Sequence, residues 1–141
     1  MESEDQIILL VEDDPIDRHL FEMALKQLSL KQVLVVKENG EQAFEYLKTT
    51  SDQVFLVLCD INMPKMNGKE LKEQIEMDKF LRYKAIPFVY LTTSQFQKDV
   101  NDAYDLSAQA FFTKPARFEE SVSLIASIVN YWNKASHPRS I

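Results

Sequence analysis

Residues 54–68 read Val-Phe-Leu-Val-Leu-Cys-Asp-Ile-Asn-Met-Pro-Lys-Met-Asn-Gly. Val54 to Cys59 is an unbroken apolar run of strand length, the pattern of a central strand in a parallel sheet covered on both faces. Asp60 follows at its carboxyl end, the edge at which open α/β sheets bind their ligands. Pro64 and Gly68 stop the strand and turn the chain toward a helix, which sets the carboxylate at a rigid mouth.

A second apolar run, Ile7 to Val11, ends in Glu12-Asp13-Asp14 ahead of Pro15. Two strands that end in acids at one edge of a parallel sheet bring Glu12, Asp13 and Asp60 together. Carboxylates that close repel unless a cation lies among them. Mg²⁺ takes oxygen ligands and is commonly held by one or two carboxylates plus phosphate and water, which fits this set. Asp14 has a different job, capping a helix that has Pro15 at its first position.

Outward from these two strands the periodicity alternates. Leu20, Phe21, Ala24, Leu25 and Leu28 fall at helical spacing. His19 beside them reads as a solvated helix-face histidine, since nothing else suggests a histidine phosphotransfer bundle. Gln32 to Val36 is a second strand, and Asn39 with Gln42 has capping-box spacing at the start of a helix through Leu47. Asn67-Gly68 opens a third helix to about Asp78, followed by a basic connection from Lys79 to Ala85.

Phe88 to Leu91 is a fourth strand ending at Thr92, Thr93 and Ser94. Ser94 with Gln97 again has capping-box spacing, opening a polar helix from Gln95 to Leu106 whose weak apolar stripe holds it loosely. Ala110 to Thr113 is a short edge strand. Lys114-Pro115 ends it, with Pro115 the candidate for a cis peptide bond because proline lowers the cost of cis. The last helix, Phe118 to about Lys134, carries an inward stripe of Val122, Ile125, Ala126, Val129 and Trp132. A second stripe of Leu124, Ile128 and Tyr131 either meets another protein or stays partly exposed. Five strands alternating with five helices predict a doubly wound parallel sheet, a flavodoxin-like α/β/α arrangement in three layers.

At 141 residues the chain has the size of one domain, read as 7–134 between short tails at 1–6 and 135–141. Sixteen Lys and Arg against 22 Asp and Glu give a net charge of −6, which disfavours a nucleic-acid surface. The acidic N-terminus lacks the features of a signal peptide and no run approaches membrane-spanning length, so the expectation is a cytoplasmic protein without membrane contact. The single cysteine, Cys59, reads as core.

Glu12-Asp13, Asp60 with Asn62-Met63-Pro64 and Gly68, Thr92, Phe111 and Lys114-Pro115 together resemble the response-regulator receiver domain of two-component signalling. The resemblance spans Ile7 to about Trp132 and implies the chemotaxis-regulator-like fold with strand order 2-1-3-4-5. It implies that Asp60 is the phosphoacceptor, with Mg²⁺ held by Glu12, Asp13, Asp60 and the backbone carbonyl of Asn62. Thr92 and Lys114 would stabilise the phosphoryl group, in keeping with a reaction that needs positioning and cations more than covalent machinery. Thr92 and Phe111 would act as the switch.

The resemblance further implies a stand-alone regulator, similar to those paired with phytochrome-type histidine kinases. Its phosphoryl source would be a sensor histidine kinase or a phosphotransfer protein. Output would pass through the face formed by the 95–106 helix, the fifth strand and the last helix, which is also the surface for a homodimer. Catalysis would be limited to the chain's own phosphoryl transfer and dephosphorylation.

Three departures from the family pattern stand out. Phe111 lacks the hydroxyl of the tyrosine often found there, so burial alone must drive its rotamer. Thr93 is bulkier than the usual small residue and implies slower loss of the phosphoryl group than Ala at 93. Ala110 replaces a common glycine. Two rival readings are a receiver-shaped interaction module that is never phosphorylated and a Mg²⁺-dependent aspartyl phosphohydrolase. The second needs a carboxylic acid where Asn62 stands, and an amide cannot transfer a proton.

Overall fold

The computed structural model describes residues 6–93 and 96–137. Strands β1 (Gln6–Val11), β2 (Val33–Lys37), β3 (Gln53–Cys59), β4 (Phe88–Thr92) and β5 (Ala110–Thr113) form one sheet in the order β2-β1-β3-β4-β5. Every neighbouring pair is parallel. This is the expected order, with β3 at the centre.

Six helices connect and cover the strands: α1 (Pro15–Leu28), α2 (Gly40–Thr49), α3 (Gly68–Met77), α4 (Lys79–Lys84), α5 (Gln97–Asp105) and α6 (Phe118–Lys134). Side chains of β3 divide between two cores, as alternation on a doubly covered sheet requires. Leu56 and Leu58 join Phe21, Ala24 and Leu25 of α1 and Ile125 and Val129 of α6. Val57 and Cys59 join Ala43 and Leu47 of α2 and Leu71 and Ile75 of α3. Each buried Leu, Ile, Val or Phe among them stabilises the fold by about 1.5–3 kcal/mol relative to leaving it in water.

The helix ends follow local chemistry. Asp14 accepts from Ile16 N at 2.9 Å ahead of Pro15, as expected of an N-cap. Asn39 accepts from Gln42 N at 2.9 Å, but the Gln42 side chain reaches back to Glu38 N, so the box is not reciprocal. A reciprocal box does form at α3, between Asn67 and Glu70.

Several expectations need correction. The basic connection from Lys79 to Ala85 contains a helix, α4, because Asp78 ends α3 and its side chain also caps the next turn by accepting from Leu81 N at 3.0 Å. The inward Leu81 side chain is buried in the core. The second stripe of α6 is largely interior: Ile128 is buried and Leu124 packs against the core, which leaves Tyr131 alone of the three exposed. The described residues contain no cis peptide bond, so Pro115 follows a trans bond, the intrinsically favoured isomer. His19 is exposed, as expected. Helix α5 starts at Gln97 with Phe96 as its N-cap residue. The Ser94 cap lies outside the described residues, as do positions 1–5 and 138–141 of the two tails.

Candidate functional site

Three strand ends deliver the site. Glu12 directly follows β1 and Asp60 directly follows β3, while Lys114 follows β5. The ladder extends one rung past each of these strands. Glu12 N donates to Lys37 O (3.0 Å), Asp60 N to Val11 O (3.1 Å) and Lys114 N to Thr92 O (2.8 Å). The backbones that carry the charged groups are therefore tied to the sheet rather than to loops.

Carboxylate oxygens of Glu12, Asp13 and Asp60 lie within 4.8 Å of one another. Glu12 and Asp60 are buried and Asp13 is half-buried. Lys114 Nζ donates to Glu12 Oε1 at 2.6 Å, to Asp17 Oδ2 at 2.8 Å and to Asp60 Oδ2 at 3.1 Å. The other oxygen of Asp60 accepts from Ile61 N at 2.7 Å and from Asn62 N at 3.4 Å, which fixes the rotation of the carboxylate. Glu12 Oε2 accepts from Asp14 N at 3.2 Å.

Burial raises the Glu12 carboxyl to about 7 despite the opposing pull of Lys114. Burial acts to lower the affinity of Lys114 for its proton, but its hydrogen bonds to Asp17 and Glu12 and the charges of Asp60 and Glu12 raise it overall. The ammonium is thus held charged. Three carboxylates bond one lysine and Asp13 adds a fourth beside Glu12 and Asp60, and this surplus of hard oxygen donors suits a divalent cation.

The loop after β3 packs tightly under the acid. Gly68 N donates to Ile61 O at 3.0 Å, and a methyl group on Gly68 would overlap the Asp60 carbonyl oxygen. The Tyr90 hydroxyl donates to Gly68 O at 3.1 Å from beneath. Cys59 is fully buried and burial pushes its thiol well up, so it behaves as core and not as a nucleophile.

Thr92 closes β4 and is buried, with its carbonyl occupied by Lys114 N. Phe111 pairs in register with Tyr90, two residues before Thr92, its ring 6.0 Å away, and packs half-buried against the core on the α5 side of the edge strand. Asn62 is exposed. Asp17 is the site residue that sequence reasoning missed. Its signal was an acid in the first turn of α1, three residues after the cap.

A doubly wound sheet with acids from two strands and a lysine from a third gathered at its carboxyl edge defines a receiver-type signalling domain. The chain belongs to the response regulator receiver domain family, whose model matches residues 8–126. Response regulator Rcp1 of Synechocystis is 31% identical over 132 residues, 90% of this chain and 88% of that protein. The phosphorylated cyanobacterial phytochrome response regulator RcpA superposes with a TM-score of 0.85 at 30% identity, covering 95% of this chain and 99% of that one. The Mn²⁺-bound form of Rcp1 gives 0.83 at 29% identity, covering 94% and 99%. The protein is a two-component response regulator. No helix among the described residues is long and apolar enough to cross a membrane.

Proposed function

We propose that Asp60 is the phosphoacceptor of this regulator and that its phosphoryl group comes from a sensor histidine kinase or a phosphotransfer protein. The observation that carries the reading is the convergence of Glu12, Asp13 and Asp60 within 4.8 Å, with the Lys114 ammonium against two of them. An Asp60 oxygen forms the new bond to phosphorus as the donor's bond to phosphorus breaks, and a carboxylate needs no base for that attack. Lys114 and the Thr92 hydroxyl stabilise the phosphoryl oxygens.

Glu12, Asp13, Asp60 and the backbone carbonyl of Asn62 would hold Mg²⁺. A bound Mg²⁺ supplies positive charge beside the phosphoryl oxygens. The all-oxygen donor set and the Mn²⁺-bound Rcp1 relative support a hard divalent ion here.

Switching runs through Thr92 and Phe111, with Phe111 turning inward and the α5–β5–α6 face changing its affinity for a partner or a second copy. The half-buried ring of Phe111 beside Tyr90 supports this. The receiver unit spans 7–134 between tails 1–6 and 135–141, acts in the cytoplasm, and catalyses only the gain and loss of its own phosphoryl group.

The test is incubation with acetyl phosphate and Mg²⁺ followed by intact-mass measurement. A gain of one phosphoryl mass in the wild type and none in Asp60→Asn is expected. Equal gain in both proteins would remove Asp60 from its role, and steady turnover of varied phosphomonoesters would favour a hydrolase instead.

A further inference from the structure

Asp17 touches the Lys114 ammonium at 2.8 Å, yet it is not among the three acids that converge on the cation position. An ammonium has three protons to donate. Glu12, Asp17 and Asp60 take all three, at 2.6, 2.8 and 3.1 Å. Lys114 is saturated before any phosphoryl group arrives.

A phosphoryl group on Asp60 must draw on one of those protons. Asp60 is the residue that changes and Glu12 belongs to the three acids around the cation position, whereas Asp17 is neither the acceptor nor one of those three. It stands on a fixed element, since the Asp14 cap and Pro15 set the first turn of α1. Its side chain, 28% exposed, reaches Lys114 beside a groove between α1 and α6 that Leu20, Pro115 and Ile125 also line. The pull of Asp17 is therefore directed toward α1.

We infer that Asp17 is a positioning residue that competes with the incoming phosphoryl group for the Lys114 ammonium, and so restrains the rate at which Asp60 is phosphorylated. This rests on Asp60 being the acceptor. Asp17 contacts neither donor nor cation and acts through Lys114. A partly exposed ion pair is weak, so its removal changes the rate by a modest factor.

The experiment follows the intact mass of the full chain with acetyl phosphate and Mg²⁺ in the wild type, Asp17→Asn, Asp17→Glu, Lys114→Ala and Asp17→Asn/Lys114→Ala. Asp17→Asn is expected to gain mass about three- to fivefold faster than the wild type, while Asp17→Glu stays within about twofold of it. On the Lys114→Ala background the Asp17 change is expected to give no gain. No acceleration in Asp17→Asn overturns the inference, and so does an equal acceleration without Lys114, which would mean a direct effect of charge on the anionic donor.

A second measurement needs neither donor nor metal. The ¹⁵Nζ signal of Lys114, assigned by its absence in Lys114→Ala, is expected to exchange protons with water several times faster in Asp17→Asn. Unchanged exchange counts against the tether. A wild type that never gains mass would instead refute the acceptor reading itself.

Discussion

Lys114 Nζ lies 2.6 Å from Glu12 Oε1 although the two residues are 102 positions apart. The ammonium neutralises a carboxylate that is 1% exposed, and it is itself 10% exposed. Removing one partner of a buried ion pair leaves an uncompensated charge, worth about 3–5 kcal/mol. Lys114→Met is therefore expected to lose roughly 3 kcal/mol of stability in metal-free buffer. Adding a divalent cation should recover much of that loss, and the cation should bind roughly tenfold tighter than to the wild type because a competing positive charge has gone. Denaturant titration with and without Mg²⁺ checks both; equal stability of the two proteins without metal would contradict the assignment.

Helix α5 buries only Ala103, and a cluster of charges supplements that contact. Lys69 of α3 bonds Asp99 at 2.5 Å and Asp102 at 3.0 Å, and Lys98 adds a bond to Asp102 at 2.8 Å. Bonds to Lys98 and then to Lys69 hold the Asp102 carboxyl below its ordinary 3.8. A lowered carboxyl contributes stability that is complete above its unfolded value and is lost as pH falls through the folded one. Lys69 is raised above 10.5, chiefly by Asp99, and contributes below that value until pH rises through the folded one. Protection of α5 amides from hydrogen exchange should be level from about pH 5 to 9 and fall on either side. In Lys69→Met it should be lower throughout, with a smaller drop toward acid. An unaltered acid limb would show that Lys69 is not what holds Asp102.

Gly68 is required for space and not for a left-handed backbone, since no glycine among the described residues has positive φ. Gly68→Ala drives a methyl group into the Asp60 carbonyl, an overpacking that costs about 1–3 kcal/mol. A fall in Tm of about 3–10 °C is expected. A fall below one degree would mean that the loop simply yields.

Leu81 anchors α4 while Phe80 beside it is 50% exposed. Leu81→Ala should cost about 2–5 kcal/mol as a cavity opens. Phe80→Ala gives up cation-π contacts with Lys48 and Lys84 from a half-exposed ring and should cost about 1 kcal/mol. Similar losses for the two would place α4 on the surface rather than in the core.

The strands and the acid pair were legible because β1 and β3 are continuous apolar runs that end abruptly in charge, and that contrast is local. Lys114 was legible through the proline that follows it. Helix α4 was not: six residues with one buried side chain hold no period, and Asp78 read as an end because its second role as a cap depends on the next turn forming. Asp17 escaped because a search for apolar stripes passes over a polar residue whose partner comes from β5, 97 positions away. The α6 stripes misled for a related reason. A helix in the seam beside α1 is covered across more of its circumference than a face-on contact suggests, so Leu124 and Ile128 join the core.

The extra rung beyond β1, β3 and β5 ties the main chain at Glu12, Asp60 and Lys114 to the sheet before any chemistry begins. A message that leaves the pocket by the shortest route is then written in rotamers. A sensor built this way spends nothing on assembling itself at each cycle, and its amides at 12, 60 and 114 should exchange with solvent equally slowly before and after modification.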